Sequence, residues 1–97
     1  MENLNRLTRL LQRVTADVGL RACHISLYTA LCQGWIENGC RNPFNISRRK
    51  IMKLARINSL ATYHRIIHEL INSKYIQYNP SYHPIKGSEV SLLDQVV

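Results

Sequence analysis

The stretch from Ile46 to Ile76, ISRRKIMKLARINSLATYHRIIHELINSKYI, leaves this chain few folds to choose from. It holds two short amphipathic segments joined by a tight turn, and the second runs directly into a strand-like run. Ser47 is placed as an N-cap, because its hydroxyl can accept a hydrogen bond from an amide in the following first turn. The helix after it carries Ile51, Leu54 and Ala55 on one face. Arg56-Ile57-Asn58 reads as the turn. Ser59 is a second N-cap, and the helix it opens repeats Tyr63, Ile66, Ile67, Leu70 and Ile71 at helical spacing.

The charges on this stretch are not those of a helical pair shaped by stability alone. Arg48, Arg49 and Lys50 fill a first turn, where the backbone dipole disfavours cations by roughly a few tenths of a kcal/mol each. Lys50 occupies the capping-box position, where Glu or Gln would help most. The next helix opens with Leu60, Ala61 and Thr62, so no acid blocks its free amides from a phosphate. The whole chain carries 13 basic and 6 acidic side chains, a net of +7. Residues 1–40 contribute +1, from four basic and three acidic groups, and residues 41–90 contribute +7, from nine and two. Asp94 supplies the remaining −1. Excess charge therefore sits where the paired helices are. It points to a polyanionic partner, nucleic acid first and an anionic membrane second.

A chain of 97 residues supports one domain, 1–97, with a modest core. No apolar run approaches the ~20 residues of a membrane span. The opening MENLNRLTRLLQRV lacks the uninterrupted apolar stretch of a secretory signal. Cys23, Cys32 and Cys40 are odd in number and have neither disulfide-framework nor zinc-module spacing. A cytoplasmic, nucleoid-associated protein is expected, with Cys32 packed as a small hydrophobe. Asn45-Ile46-Ser47 matches a glycosylation sequon without a secretory context to give it meaning.

Leu4, Leu7, Leu11, Val14 and Val18 form a heptad-like seam, widened by Leu10, with Arg6, Arg9, Gln12 and Arg13 opposite. Gly19 is expected to end this helix. So large an apolar strip on a terminal helix, 1–18, is expected to serve both the domain core and a homodimer. A second helix spans about 24–38. Its expected buried stripe is Ile25, Tyr28, Leu31, Cys32, Trp35 and Ile36, with Trp35 as a core anchor. Asn38-Gly39 ends it, Arg41-Asn42-Pro43 turns the chain, and Phe44-Asn45-Ile46 alternates like a short edge strand. Tyr75–Asn79 and Ser88–Leu92 read as the two strands of a hairpin. Ile76 and Tyr78 share one face of it, and Val90 and Leu92 point inward. The long polar loop between them contains Pro80, Pro84 and Gly87. The tail from Leu93 is expected to dock loosely.

Two helices, a short strand, a helix-turn-helix and a two-stranded hairpin follow one another in the order of a winged helix-turn-helix domain, mainly α with a small β-hairpin. The run Ser59-x-x-Thr62-Tyr63-x-Arg65-x-Ile67-x-x-Leu70-x-x-x-Lys74-Tyr75-Ile76 resembles the recognition helix of bacterial winged-helix regulators. Ile46-Ser47-Arg48-Arg49-x-Ile51-x-x-Leu54-Ala55 is similar to the first helix of that pair. Along nearly its whole length the chain also resembles short winged-helix proteins of bacterial mobile elements. The matching segments are Ala61-Thr62-Tyr63-His64 and Tyr75-Ile76-x-Tyr78-x-Pro80-Ser81-Tyr82. Lys74 departs from the family pattern, which has glycine just past the helix; it implies a different helix end or left-handed backbone.

The resemblance implies a sequence-specific, double-stranded-DNA-binding transcriptional regulator, with the second helix of the pair in the major groove and the hairpin loop on the backbone. On that helix Leu60, Ala61, Thr62, His64, Arg65 and His68 point outward. Arg65 is the residue for a bidentate guanine contact and Thr62 for a base edge or thymine methyl. Ser59, Arg48, Arg49 and Lys53 contact phosphates. His83 and Lys86 in the hairpin loop touch the backbone, and Tyr82 packs on a sugar or buttresses the loop.

Other chemistries fare worse on the same residues. His64 and His68 have the i, i+4 spacing of metal ligands, but a zinc-protease motif needs Glu after the first His and Arg65 stands there. The chain offers no paired carboxylates, phosphate loop or nucleophile elbow, so no catalytic residue, metal or cofactor is expected. Two alternatives use the same fold. One is a DNA-binding accessory to replication or excision of a mobile element. The other is a winged-helix protein-interaction module, which would want an apolar outer face on the 59–74 helix.

Overall fold

The structure is a computed structural model that describes residues 2–80 and 87–94. Among the described residues four helices and three strands follow in the order α1 (Glu2–Ala16), α2 (Ala22–Glu37), β1 (Phe44–Ile46), α3 (Arg48–Ala55), α4 (Leu60–Asn72), β2 (Ile76–Asn79) and β3 (Ser88–Leu92). The protein is mainly helical, with a small antiparallel sheet in the order β1-β3-β2. The expected hairpin is β2 with β3, and the short strand β1 adds itself to β3 as a third member. Phe44 and Tyr78 both lie opposite Val90, and Ile76 lies opposite Leu92. These residues line the inner face over the helices. Asn42 extends the sheet with a side chain: its amide donates to the Leu92 carbonyl at 2.9 Å and accepts the Leu92 N–H at 3.1 Å.

The centre of the core is α2. Leu27, Tyr28, Leu31 and Trp35 are fully buried on it, with Ala30 and Cys32 nearly so. Burial of each large aliphatic side chain contributes roughly 1.5–3 kcal/mol. A helix surrounded by neighbours needs apolar residues beyond a single stripe, which is why Leu27 and Ala30 join the expected set. Ile36, expected in the stripe, is 49% exposed. Burial pushes the Cys32 thiol up to about 12, consistent with its expected role as a small hydrophobe.

The N-terminal helix packs on the core as expected but ends earlier than expected. Leu10 and Val14 are buried and Leu7 and Leu11 are packed against the core, so the seam is turned onto its own subunit. Helix α1 stops at Ala16, leaving Val18 fully exposed. Its end is made by Asp17 and not by Gly19. The Asp17 carboxylate accepts the Gly19 N–H at 2.9 Å and the Tyr75 hydroxyl at 2.6 Å, and Gly19 is not left-handed. The start of the tail is pinned as well. Asp94 pairs with Arg9 at 3.0 Å, and Arg13 donates to the Leu93 carbonyl at 2.9 Å.

On α3, Ile51 and Ala55 face α2, and the Ser26 hydroxyl donates to the Ala55 carbonyl at 2.7 Å. Leu54, expected inward, is 39% exposed. On α4, Tyr63, Ile66, Ile67 and Leu70 are buried and Ile71 is half-buried, as the spacing requires.

Candidate nucleic-acid interface

Ser47 caps α3 as expected, its hydroxyl accepting the Lys50 N–H at 3.3 Å. Of the three cations in that first turn, Lys50 is engaged. It pairs with Glu37 at 2.8 Å and holds that carboxyl below the usual carboxylate range. Arg48 and Arg49 are exposed, as is Lys53 one turn on, and none has an ion-pair partner among the described residues.

Arg56, in the turn that follows, also has no ion-pair partner among the described residues. Arg56 closes α3 in the left-handed conformation, φ 61°. Its N–H donates to the Lys53 carbonyl, and the Ile57 N–H donates to Met52 at 2.9 Å, which places buried Ile57 in the core. Glycine would adopt this backbone without a Cβ penalty. Arginine here adds a charge beside Lys53, and the two line a shallow, open depression with Leu54 and Asn58. The sequence marked Arg56 only as a turn residue. A cation at a glycine-favoured position was the signal that could have singled it out.

Helix α4 starts at its expected cap, with the Ser59 hydroxyl accepting the Thr62 N–H at 3.2 Å. Ala61, His64, Arg65 and His68 are exposed along one face, and Leu60 is 45% exposed at its start. Thr62, expected outward, is half-buried at the border. The His64 ring stands edge-on to buried Tyr63, with centroids 5.4 Å apart. The Tyr63 phenol is pushed up chiefly by burial, and the Arg48 charge opposes that shift. Arg48 at the start of α3 is therefore within electrostatic reach of the residue that seats His64.

The residues that sequence reasoning missed lie on the other flank of α4. Arg65 donates from Nη1 to Glu69 Oε1 at 3.3 Å, one turn along the helix. The same oxygen is 2.8 Å from Nε2 of His24, a buried residue in the first turn of α2. His24 Nδ1 accepts the Arg21 N–H at 3.0 Å, which assigns the ring proton to Nε2 and makes His24 the donor to Glu69. The His24 hydrogen bond, above all, holds the Glu69 carboxyl below its usual range, with Arg65 and Arg21 adding to the effect. No periodicity could pair residue 24 with residue 69, because the contact joins two helices far apart in the chain.

Tyr82, His83 and Lys86, the expected contacts of the hairpin loop, lie outside the described residues. Among the described residues no three His, Cys, Asp or Glu side chains are grouped to hold a metal, and no helix is long and apolar enough to cross a membrane. Comparison with protein-family models, curated proteins and solved structures gives no significant match.

Proposed function

We propose that this protein is a winged helix-turn-helix protein that binds double-stranded DNA sequence-specifically and acts as a transcriptional regulator. In this reading α3 and α4 are the helix-turn-helix, α4 enters the major groove, and the β2–β3 hairpin is the wing. The observation that carries it is the run of exposed cations without an ion-pair partner among the described residues, Arg48, Arg49, Lys53 and Arg56, on α3 and its closing turn, followed directly by α4 with its exposed Ala61, His64, Arg65 and His68. Two capped helix starts without an acid in the first turn accompany it. Phosphates meet the α3 cations, and Arg65 with Thr62 and His64 meets base edges. An accessory role in replication or excision of a mobile element would use the same surface.

Leu54 and Leu60 favour a second reading, a docking surface for another protein, since both are substantially exposed. Two leucines among four cations make a poor apolar centre for such an interface. Selection of bound sites from a pool of random duplexes separates the readings. A defined sequence recovered by the protein supports DNA recognition, and no enrichment over input refutes it. Where the sites fall, near promoters or near origins and element ends, decides between regulator and accessory factor.

A further inference from the structure

We propose that Glu69 is a positioning residue that pre-sets Arg65 for a guanine, with His24 fixing Glu69 from the core; this rests on the DNA-binding reading above. Glu69 Oε1 takes both hydrogen bonds, from His24 at 2.8 Å and from Arg65 at 3.3 Å. The two anchors differ in kind. The His24 side chain is 6% exposed and has its other ring nitrogen locked by a backbone amide. The Arg65 side chain is 53% exposed on the outer face of α4. The carboxylate is thus tied to a buried ring on one side and holds an exposed guanidinium on the other.

An isolated surface pair between Glu and Arg four residues apart is worth little, because two flexible side chains must be ordered together. Here one side is already ordered. Engaging Nη1 leaves Nη2 and Nε of Arg65 with their hydrogens for the paired acceptors O6 and N7 of guanine. A restrained guanidinium loses less freedom on making that contact, so the contact discriminates more sharply. Glu69 also has an opposite effect that a structural salt bridge need not have. It adds a negative charge to the helix proposed to enter the groove, lowering affinity for every duplex alike. The residue exchanges general affinity for selectivity.

The test measures two ratios on duplexes recovered by the wild type from a random pool. One is affinity for the selected site over the same site with each guanine replaced in turn. The other is affinity for random duplex relative to wild type. Glu69→Gln keeps an oxygen to accept from His24 and removes the charge. It is expected to lower discrimination at one guanine by about threefold to tenfold and to raise random-duplex affinity by roughly twofold or more. Glu69→Asp keeps the charge but shortens the reach, so it is expected to lose discrimination without that gain. In an Arg65→Ala background Glu69→Gln is expected to leave discrimination unchanged, because Glu69 acts through Arg65. Wild-type discrimination in Glu69→Gln, or a further loss in the Arg65→Ala background, overturns the proposal while leaving DNA binding intact. A wild-type protein that retains no duplex refutes the DNA-binding reading itself, and this inference with it.

Discussion

Lys74 shows how a single backbone angle records a residue's constraints. It follows α4 at φ 66°, with its N–H donating to the Ile71 carbonyl and the Tyr75 N–H to Leu70, both at 3.0 Å. Lys74 and Arg56 thus close their helices in the same left-handed way that Gly39 closes α2 at φ 76°. A non-glycine residue in that conformation costs about 1 kcal/mol. Lys74→Gly is therefore expected to raise the melting temperature by roughly 4–8 °C, the shift that 1 kcal/mol produces in a domain of this size. Arg56→Gly is expected to stabilise similarly and also to weaken DNA binding, since it removes an unpaired cation. A melting curve and a gel-shift titration on each variant check both, and tighter binding by Arg56→Gly would remove Arg56 from the interface. Gly87 is the converse case. It enters β3 at φ 69°, and a Cβ there would lie 2.3 Å from the Ile46 carbonyl oxygen. Backbone faces backbone at that point, so Gly87→Ala is expected to destabilise by at least about 2 kcal/mol, read from denaturant unfolding.

At the scale of elements, the phenol of Tyr75 joins the end of α1 to the entry of β2. It donates to Asp17 at 2.6 Å, and the Arg13 guanidinium lies 4.1 Å over its ring. The Asp17 carboxyl is held below its usual range, first by the Tyr75 hydrogen bond and then by the Gly19 amide. The Tyr75 hydroxyl is pushed up to about 12, first by burial and then by Asp17. The two shifts act at opposite ends of the pH scale. A lowered carboxyl stabilises the fold above its unfolded value and loses that contribution as pH falls through its folded value. A raised phenol stabilises below its unfolded value near 10 and loses that contribution as pH rises toward 12. The stability gap between wild type and Tyr75→Phe is expected to be widest from about pH 5 to 9 and to narrow at both ends. A gap independent of pH would show that the hydroxyl contributes nothing to it. This junction was invisible in the sequence, where Gly19 was the natural helix end and Asp17 carried no pattern. Local signals were legible: Ser47 and Ser59 as caps, the buried face of α4, and the alternation in β1, β2 and β3. Each depends on residues within a few positions of one another. Leu27, Ile36, Leu54 and the His24–Glu69 contact depend on which helix lies against which, and spacing along one helix does not encode that.

For the whole molecule, the question is how the +7 net charge divides between holding the fold and meeting a partner. Arg6, Arg9 and Arg13 hold the end of β3 through Asp94 and the Leu93 carbonyl, and Lys50 is tied to Glu37. These cations belong to the fold. Much of the apolar seam of α1 packs on its own domain as well, while Leu4 stays exposed on it. A homodimer through α1 predicts twice the monomer mass in sedimentation, and a monomer at tens of micromolar would remove it. Among the described residues Arg21, Arg41, Arg48, Arg49, Lys53, Arg56 and Lys74 have no ion-pair partner, and in the proposed reading the four from Arg48 to Arg56 meet phosphates. Four phosphates neutralised give a slope of log affinity against log salt of about −3 to −4, or roughly a hundredfold weakening between 50 and 200 mM salt. Arg48→Ala and Lys53→Ala should each make that slope shallower by about 1 on every duplex, because phosphate contacts are blind to sequence. Arg65→Ala should act differently, relaxing preference among duplexes while changing the slope less. If all three variants lower specific and random binding by the same factor, positive charge alone drives association and α4 reads nothing. If the slope of the wild type is near zero, the unpaired cations do not meet a polyanion, and the surface they line serves another purpose.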